Sequence, residues 1–138
     1  MRVLIWHVDA FTAEPTERGR SKVADATPQT VHITDGLVVF AAVEKADEAD
    51  PEATAERATE TIIEVAKQLG AHDIVLHSFA HLFVEQLSTP ATAQHVLNRT
   101  QSLLEAQGYA VQQSAFGWFN KLELLAKGHP LSRVARQI

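Results

Sequence analysis

The feature that most constrains the fold is an uninterrupted apolar segment at residues 37–43, Leu-Val-Val-Phe-Ala-Ala-Val. A strand with apolar side chains at every position is buried on both faces, as central strands of covered sheets are. We therefore expect this segment to be a central strand. The turn-forming pair Asp35 and Gly36 precedes it, and we expect a hairpin there that joins two strands within residues 31–45.

Two helices are expected from their end signals. Asp50, Pro51 and the acid after them form a helix start, and Gly70 closes that helix. A second helix begins at Thr89 and Pro90 and ends at Gly108. Each has one apolar face. The faces comprise Ala55, Ala58, Ile62, Val65, Ala66 and Leu69 in the first helix, and Ala93, Val96, Leu97, Leu103 and Leu104 in the second.

The remaining segments complete a mixed α/β pattern. Further strands are expected at residues 2–8, 73–77, 109–113 and 119–126. Residues 9–30 are polar and contain two prolines, which indicates an irregular excursion. A turn is expected at residues 127–130, with a short helix after it. The order predicts an α/β domain with a mixed β-sheet and two main helices on one sheet face.

Composition narrows the classes of function. The 138 residues suit one domain, and the absence of cysteine excludes disulfides, thiolate nucleophiles and cysteine-based zinc sites. No apolar run is long enough for a membrane span, and we expect a cytoplasmic protein. The net charge of −5 argues against avid non-specific binding of nucleic acid. Small basic clusters at residues 18–22 and 127–136 are interpreted as solvated surface.

Several side chains could carry chemistry. His77 and His81 are four residues apart, but the first ends a strand and the second opens a turn, so no metal site is expected. Ser78 follows His77 directly, and neighbours on an extended chain point to opposite faces, which argues against a Ser–His pair. The amides of residues 78–82 could bind an oxyanion where the strand turns into a helix, although a plain strand-to-helix connection is the favoured interpretation.

Three aromatic residues surround a glycine at residues 116–119, Phe-Gly-Trp-Phe. Core and hairpin packing is the favoured explanation of such a group, and the alternative is a wall on which a nucleobase stacks, with the glycine permitting close approach. From these patterns alone, an α/β domain of unassigned function is the result.

Five motifs in order also resemble the N-terminal editing domain of archaeal threonyl-tRNA synthetases, over nearly the whole chain. They are Met-Arg-Val-Leu at residues 1–4 with a histidine at 7, Val-Glu-Lys at 43–45 before acids and a proline-started helix, Phe-Ala-His-Leu at 79–82, Val-Leu-Asn-Arg at 96–99, and Phe-Gly-Trp-Phe at 116–119 followed by Lys-Gly-His-Pro-Leu at 127–131.

The resemblance implies a D-aminoacyl-tRNA deacylase-like fold, a homodimer, and proofreading that removes mischarged L-serine from the 3′-terminal adenosine of tRNA(Thr). Val43 and Ala80 would hold the aminoacyl group through main-chain atoms, His81 would lie near the ester, and Phe116 and Phe119 would flank the adenosine. The substrate-binding residues it implies are Val43, Glu44, Ser78, Phe79, Ala80, Phe116, Gly117 and Phe119, and the catalytic ones are Ala80, His81 and Asn120.

Two positions depart from the family pattern. Asn120 stands where the family commonly has lysine, and Lys121 beside it points to the opposite face of a strand. Arg133 stands where the family often has glutamate. Our hypothesis is that backbone amides near Ala80 and the 2′-hydroxyl of the terminal adenosine carry the reaction with a water.

Two alternatives stay open: a free-standing D-aminoacyl-tRNA deacylase, and a catalytically degenerate tRNA-binding or dimerisation module. We expect residues 1–138 to be the N-terminal part of a longer synthetase, with synthetic and anticodon-binding modules as partners. Editing is expected to need no cofactor, whereas ATP, Mg and Zn would serve only an attached synthetic module. No membrane partner is expected.

Overall fold

A computed structural model describes residues 1–82 and 86–138 of the chain. The strands and helices are β1 (Arg2–Arg18), β2 (Val31–Ala42), α1 (Pro51–Leu69), β3 (Asp73–Ser78), α2 (Pro90–Ala106), β4 (Ala110–Gln113), β5 (Trp118–Ala126) and β6 (Arg133–Gln137). Two short 3-10 helices, Lys45–Ala49 and Ala80–Leu82, follow the ends of β2 and β3.

The sheet is mixed, and its order is β4-β3-β2-β1-β5, with β6 sharing the outer edge of β1 with β5. β3 runs parallel to β2 and β4, while β1 is antiparallel to its three partners. β2 is central, as its apolar sequence predicts. Both helices pack on one face, where Ile62, Val65, Leu97 and Leu104 join a cluster with residues of β1, β2 and β3.

The helix ends follow the expected chemistry. The Asp50 carboxylate accepts a hydrogen bond from Ala53 N at 3.0 Å, and Thr89 Oγ1 accepts one from Thr92 N at 3.3 Å. Pro51 and Pro90 lie in the first turns, and Gly70 ends α1 in the left-handed region at φ 67°. These caps satisfy amides that the helices leave unpaired at their starts.

The expected hairpin at Asp35 and Gly36 is wrong, because β2 continues through both residues while it pairs with β1. Asp35 does take a left-handed conformation, at φ 54°, but only for one residue. Lys127 Nζ holds this kink by binding the carboxylates of Asp35 at 2.9 Å and Asp9 at 2.6 Å. Asp9 lies at an irregularity in the pairing of β1 with β5.

The paired irregularities change which side chains face each side of the sheet. A second apolar cluster comprises Val8, Phe11, Ala13, Val31, Ile33, Val38, Phe40 and Val75. On β2, Val38 belongs to this cluster at an even position, and Ile33 belongs to it at an odd one. On β1 the same change occurs between Val8 and Phe11. With strict alternation, Ile33 would face the side of the sheet opposite to Val38, and Phe11 the side opposite to Val8. The irregularity at Asp35 and Asp9 therefore keeps the residues on both sides of it in the same cluster.

Two further expectations from the sequence are wrong. Residues 9–18 extend β1, because Phe11 and Ala13 are fully buried between β2 and β5. Residues 133–137 form a strand instead of a helix, because Val134 is buried and the edge of β1 supplies the backbone partners. In both places pairing with a neighbouring strand overrides the local signal.

His77 lies inside the second cluster, where its ring is 5.4 Å from that of Phe40 and its Nδ1 is 2.6 Å from Ser114 Oγ. Burial lowers the pKa of His77 to about 4. The ring is therefore neutral at physiological pH, since desolvation disfavours the imidazolium.

Gly36 lies opposite Asp73, and a Cβ at this position would lie 2.4 Å from the Asp73 carbonyl oxygen. We expect Gly36→Ala to lower the free energy of unfolding by about 2–3 kcal/mol, because the backbones of β2 and β3 must separate. Urea denaturation measures this. Gly128→Ala is the control, since nothing lies within 4 Å of its Cβ position. Equal stability of the two variants would contradict the close approach.

The depressed pKa of His77 predicts how stability depends on pH. The unfolded chain binds a proton at this residue near pH 6.5 and the folded chain only near pH 4, so stability rises with pH between these values. The free energy of unfolding should be about 3 kcal/mol lower at pH 4 than at pH 7 from this residue alone. His77→Gln should flatten that slope, whereas His32→Gln, which removes an exposed ring, should leave it. An unchanged slope in His77→Gln would refute the assignment.

Candidate functional site

A cavity of about 280 Å³ opens where β2 and β3 end, between the start of α2 and the turn before β5. Six residues singled out from the sequence line it: Val43, Ser78, Ala80, Phe116, Gly117 and Phe119. They come from three separate parts of the chain. The parallel pairing of Ala41 with Ser78 brings the ends of β2 and β3 together and makes them the floor of the cavity.

The floor is made mostly of small residues, so little side-chain bulk separates the cavity from the main chain. Phe79 N donates to Ala41 O at 2.8 Å and so joins the end of β3 to the end of β2. Ser88 N donates to Val43 O at 3.0 Å and joins the segment that precedes α2 to the residue after β2. Ala80 starts the 3-10 helix Ala80–Leu82. The first amides of a helical turn have no acceptor within that turn, so such a position suits an oxygen of a bound ligand.

One wall is the turn that holds the aromatic residues. Gly117 adopts φ 76°, and a Cβ there would lie 2.7 Å from Ala24 Cβ, so the turn requires glycine. The Asp25 carboxylate accepts a hydrogen bond from Phe116 N at 2.7 Å, and Asp25 O accepts one from Trp118 Nε1 at 2.9 Å. These bonds fasten the loop after β1 onto the turn.

The two phenylalanines of this turn differ in their surroundings. Phe116 is buried in the helix-side core and presents only part of its ring to the cavity. Phe119 is 58% exposed at the rim. An exposed ring beside a cavity offers a face on which a planar group can stack.

Three of the implied site residues do not line the cavity. The Phe79 ring packs against Phe40, 5.4 Å away between centroids, within the second cluster. The Glu44 carboxylate is buried and binds Arg2 Nε at 3.0 Å and the α-amino group of Met1 at 3.3 Å. Asn120 Nδ2 donates to Trp118 O at 3.0 Å.

Asn120 nevertheless adjoins the cavity. Its Nδ2 also lies 3.4 Å from the carbonyl oxygen of Ala115, which lines the cavity. Its Oδ1 is buried and has no hydrogen-bond partner among the described residues. A buried acceptor left open costs free energy that a donor from a ligand or water would recover.

The remaining candidates behave as follows. His81 lies in the 3-10 helix Ala80–Leu82, and its side chain lies outside what the structure describes. His77 and Ser78 point to opposite faces, as expected, because His77 joins the aromatic cluster while Ser78 lines the cavity. Residues 1–82 and 86–138 contain no group of three or more acids or histidines placed to hold a metal ion.

The sequence interpretation missed the loop after β1 as part of the site. Gly19, Arg20 and Ser21 line the cavity, and Gly19 N donates to Gly117 O at 2.8 Å. The alternating cations of this loop were visible in the sequence but were interpreted as solvated surface. Of the described residues that line the cavity, Arg20 is the only one with an ionisable side chain.

Comparison with known proteins identifies relatives of the whole chain. The family described as the archaea-specific editing domain of threonyl-tRNA synthetase matches residues 1–138. Threonine–tRNA ligases of Methanopyrus kandleri, Methanocaldococcus jannaschii and Pyrococcus furiosus are 43%, 40% and 36% identical over 100% of this chain. The chain spans 22% of the length of each of these relatives.

A solved structure also resembles the chain. The c-Myc DNA Unwinding Element Binding Protein superposes with a TM-score of 0.70 over 100% of this chain and 99% of its own, at 13% identity. Identity this low bears on the fold alone. The expected D-aminoacyl-tRNA deacylase-like α/β fold is confirmed. Within residues 1–82 and 86–138, no helix is long and apolar enough to cross a membrane.

Proposed function

The chain belongs to the archaea-specific editing domain family of threonyl-tRNA synthetase, and from this membership we propose that it hydrolyses the ester between L-serine and the 3′-terminal adenosine of tRNA(Thr). The observation that carries the proposal is the small-residue cavity, with main-chain groups on its floor and an exposed phenylalanine at its rim. An aminoacyl group fits the floor, and the adenine ring fits the rim. The reaction would take place in the cytoplasm, where tRNA is charged.

Physical chemistry explains why such a site is needed. Serine lacks only the methyl group of threonine, and one missing methylene in an apolar pocket is worth about 1–3 kcal/mol of discrimination. A second site can reject threonine by leaving no space for that carbon. The floor residues Ala41, Ala42 and Val43 are buried at the end of the central strand, so they cannot move aside to make room.

The hydrolysis needs a group that stabilises the developing oxyanion and a group that positions water. The amides at the start of the turn at Ala80 are suited to the first role. For the second, the cavity supplies no carboxylate or imidazole from its described lining residues. The 2′-hydroxyl of the terminal adenosine lies next to the ester and takes this role, while Asn120 acts beside the cavity by holding the carbonyl oxygens of Ala115 and Trp118 through its Nδ2.

The proposed partners come from the family membership together with this reaction. They are the serine-bearing 3′ end of tRNA(Thr), a second copy of the chain, and the synthetic and anticodon-binding modules of a synthetase of which residues 1–138 form the N-terminal editing domain. Editing itself uses no cofactor, and ATP, Mg and Zn belong to the synthetic module.

Binding of a second copy of the chain is supported by exposed apolar side chains at the sheet edge. β5 ends the strand order, and it carries Leu122 and Leu125, which are 38% and 61% exposed. Leu131, in the loop after it, is 41% exposed. An edge strand with exposed apolar side chains favours pairing with another chain.

Substrate comparison tests the proposed specificity. L-seryl-tRNA(Thr) should be hydrolysed at least tenfold faster in kcat/KM than L-threonyl-tRNA(Thr), because the extra methyl group has no space. Single-turnover deacylation measures both. Equal rates for the two esters would exclude proofreading, and preference for D-aminoacyl-tRNA would favour the free-standing deacylase. Binding of a seryl-adenosine analogue without turnover of any ester would favour the degenerate module.

The mechanism predicts dependence on the tRNA itself. Seryl-tRNA that ends in 2′-deoxyadenosine should be hydrolysed about 100-fold more slowly or worse, within the usual range for a lost proton-positioning group. Asn120→Ala should slow the reaction, because the carbonyl oxygens of Ala115 and Trp118 lose the donor that they share. Undiminished hydrolysis of the deoxy substrate would remove the 2′-hydroxyl from the mechanism. Wild-type rates in Asn120→Ala would show that the Asn120 side chain takes no part in the mechanism.

Sedimentation equilibrium tests the second copy. The wild-type chain should sediment as a dimer, and Leu125→Glu should shift it toward monomer, because a charge replaces exposed apolar area on β5. Gln68→Glu adds the same charge on the exposed surface of α1 and is the control. A monomeric wild type at tens of micromolar would contradict the proposal.

A further inference from the structure

The segment at residues 18–22 carries three exposed cations in alternation, Arg18, Arg20 and Lys22. We call it the basic loop. None of the three forms a salt bridge with the described part of the chain, whereas Lys45, Arg99 and other basic residues do. Exposed cations without acidic partners are available to an external anion.

The basic loop lies at the rim of the cavity. Arg18 pairs with Trp118 where β1 meets β5, and Glu17 pairs with Phe119. Arg20 itself lines the cavity. Directly paired residues place their side chains on the same face, so Arg18 lies beside Trp118, which also lines the cavity, while Glu17 lies across from Phe119.

The loop is fixed in place. Besides the Asp25 bonds to the aromatic turn, a Cβ on Gly19 would lie 2.7 Å from Gly117 O, so the two backbones are in contact. Asp25 is directed inward to Phe116 N, which removes its carboxylate from the rim. Glu17 is the nearest remaining exposed acid in sequence, against three cations.

Elsewhere the chain carries an excess of negative charge. The chain has a net charge of −5. A groove on the helix side is lined by Glu56, Glu60 and Glu64 of α1 against one cation, Lys67, and shares no residue with the cavity. A polyanion is therefore attracted at the rim of the cavity and repelled from the helices.

We propose that the basic loop binds the phosphodiester groups that precede the terminal adenosine in the single-stranded 3′ end of the tRNA. This assignment rests on the proposed function. Adenine stacks on Phe119 while the backbone that leaves it passes along Arg18 and Lys22, which is the combination of stacking and charge by which proteins hold single strands. The loop thus favours an RNA end over a free aminoacyl nucleoside as the substrate, because only the RNA end carries phosphates for it to bind.

The test compares two substrates in matched variants. Arg18→Gln/Lys22→Gln removes two charges from the basic loop and leaves Arg20 in the cavity. Arg57→Gln/Lys67→Gln removes two charges from α1 and is the control. With seryl-tRNA(Thr), the loop variant should lose about tenfold in kcat/KM, mainly through KM, and its salt dependence should become shallower by about 1.4 in log–log slope, because each lost phosphate contact accounts for about 0.7. With 3′-O-seryl-adenosine, which has no phosphate, both variants should match the wild type.

Binding of an uncharged RNA oligonucleotide that ends in CCA gives a readout independent of hydrolysis. Fluorescence anisotropy should show about tenfold weaker binding in the loop variant and no change in the control. Equal binding by wild type and loop variant, or an equal loss on both substrates, overturns the assignment. If the wild type hydrolyses neither ester but binding still depends on the loop, the proposed function fails and the phosphate site stands.

Discussion

The antiparallel pairing of β1 with β2 is the interaction on which the rest of the structure depends. β1 runs the length of the sheet and pairs with β2 on one side and with both β5 and β6 on the other. Its far end at Arg18 brings the loop after it to Trp118, and its near end supports the floor strand. Lys127 binds Asp9 of β1 and Asp35 of β2, at the point where the alternation of side chains between the two faces of the sheet shifts. One cation therefore stabilises the shift in both strands.

The sequence predicted most of the fold because its strongest signals are local. The caps at Asp50 and Thr89, the terminating Gly70 and the apolar run at residues 37–43 each act within a few residues. The incorrect predictions occur where pairing with strands distant in sequence determines the local conformation. Asp35 and Gly36 form a turn in isolation, but β1 on one side and Asp73 on the other keep the strand extended. Likewise, β6 exists because β1 has an open edge.

The candidate site was predictable in part for the same reason. Val43, Ser78, Ala80 and the aromatic turn line one cavity, and they were singled out through the family resemblance more than through their chemistry. Small residues and backbone amides leave little signature in a sequence, because their function is positional. Phe79 belongs to the motif but packs into the second cluster, and Glu44 is engaged in buried ion pairs. Adjacent motif residues therefore divide between holding the fold and forming the cavity.

The contact between Gly19 and Gly117 has a consequence for how the cavity opening tolerates changes in sequence. One side of the aperture is bounded by main chain touching main chain, with Gly19 N on Gly117 O and Ala24 against the other face of Gly117. Rotamer changes alter the width of an opening bounded by side chains. An opening bounded by backbone keeps its width as long as the sheet is intact. Other parts of the chain can then differ, as they do between this chain and a relative that is 40% identical, without altering the width of this opening.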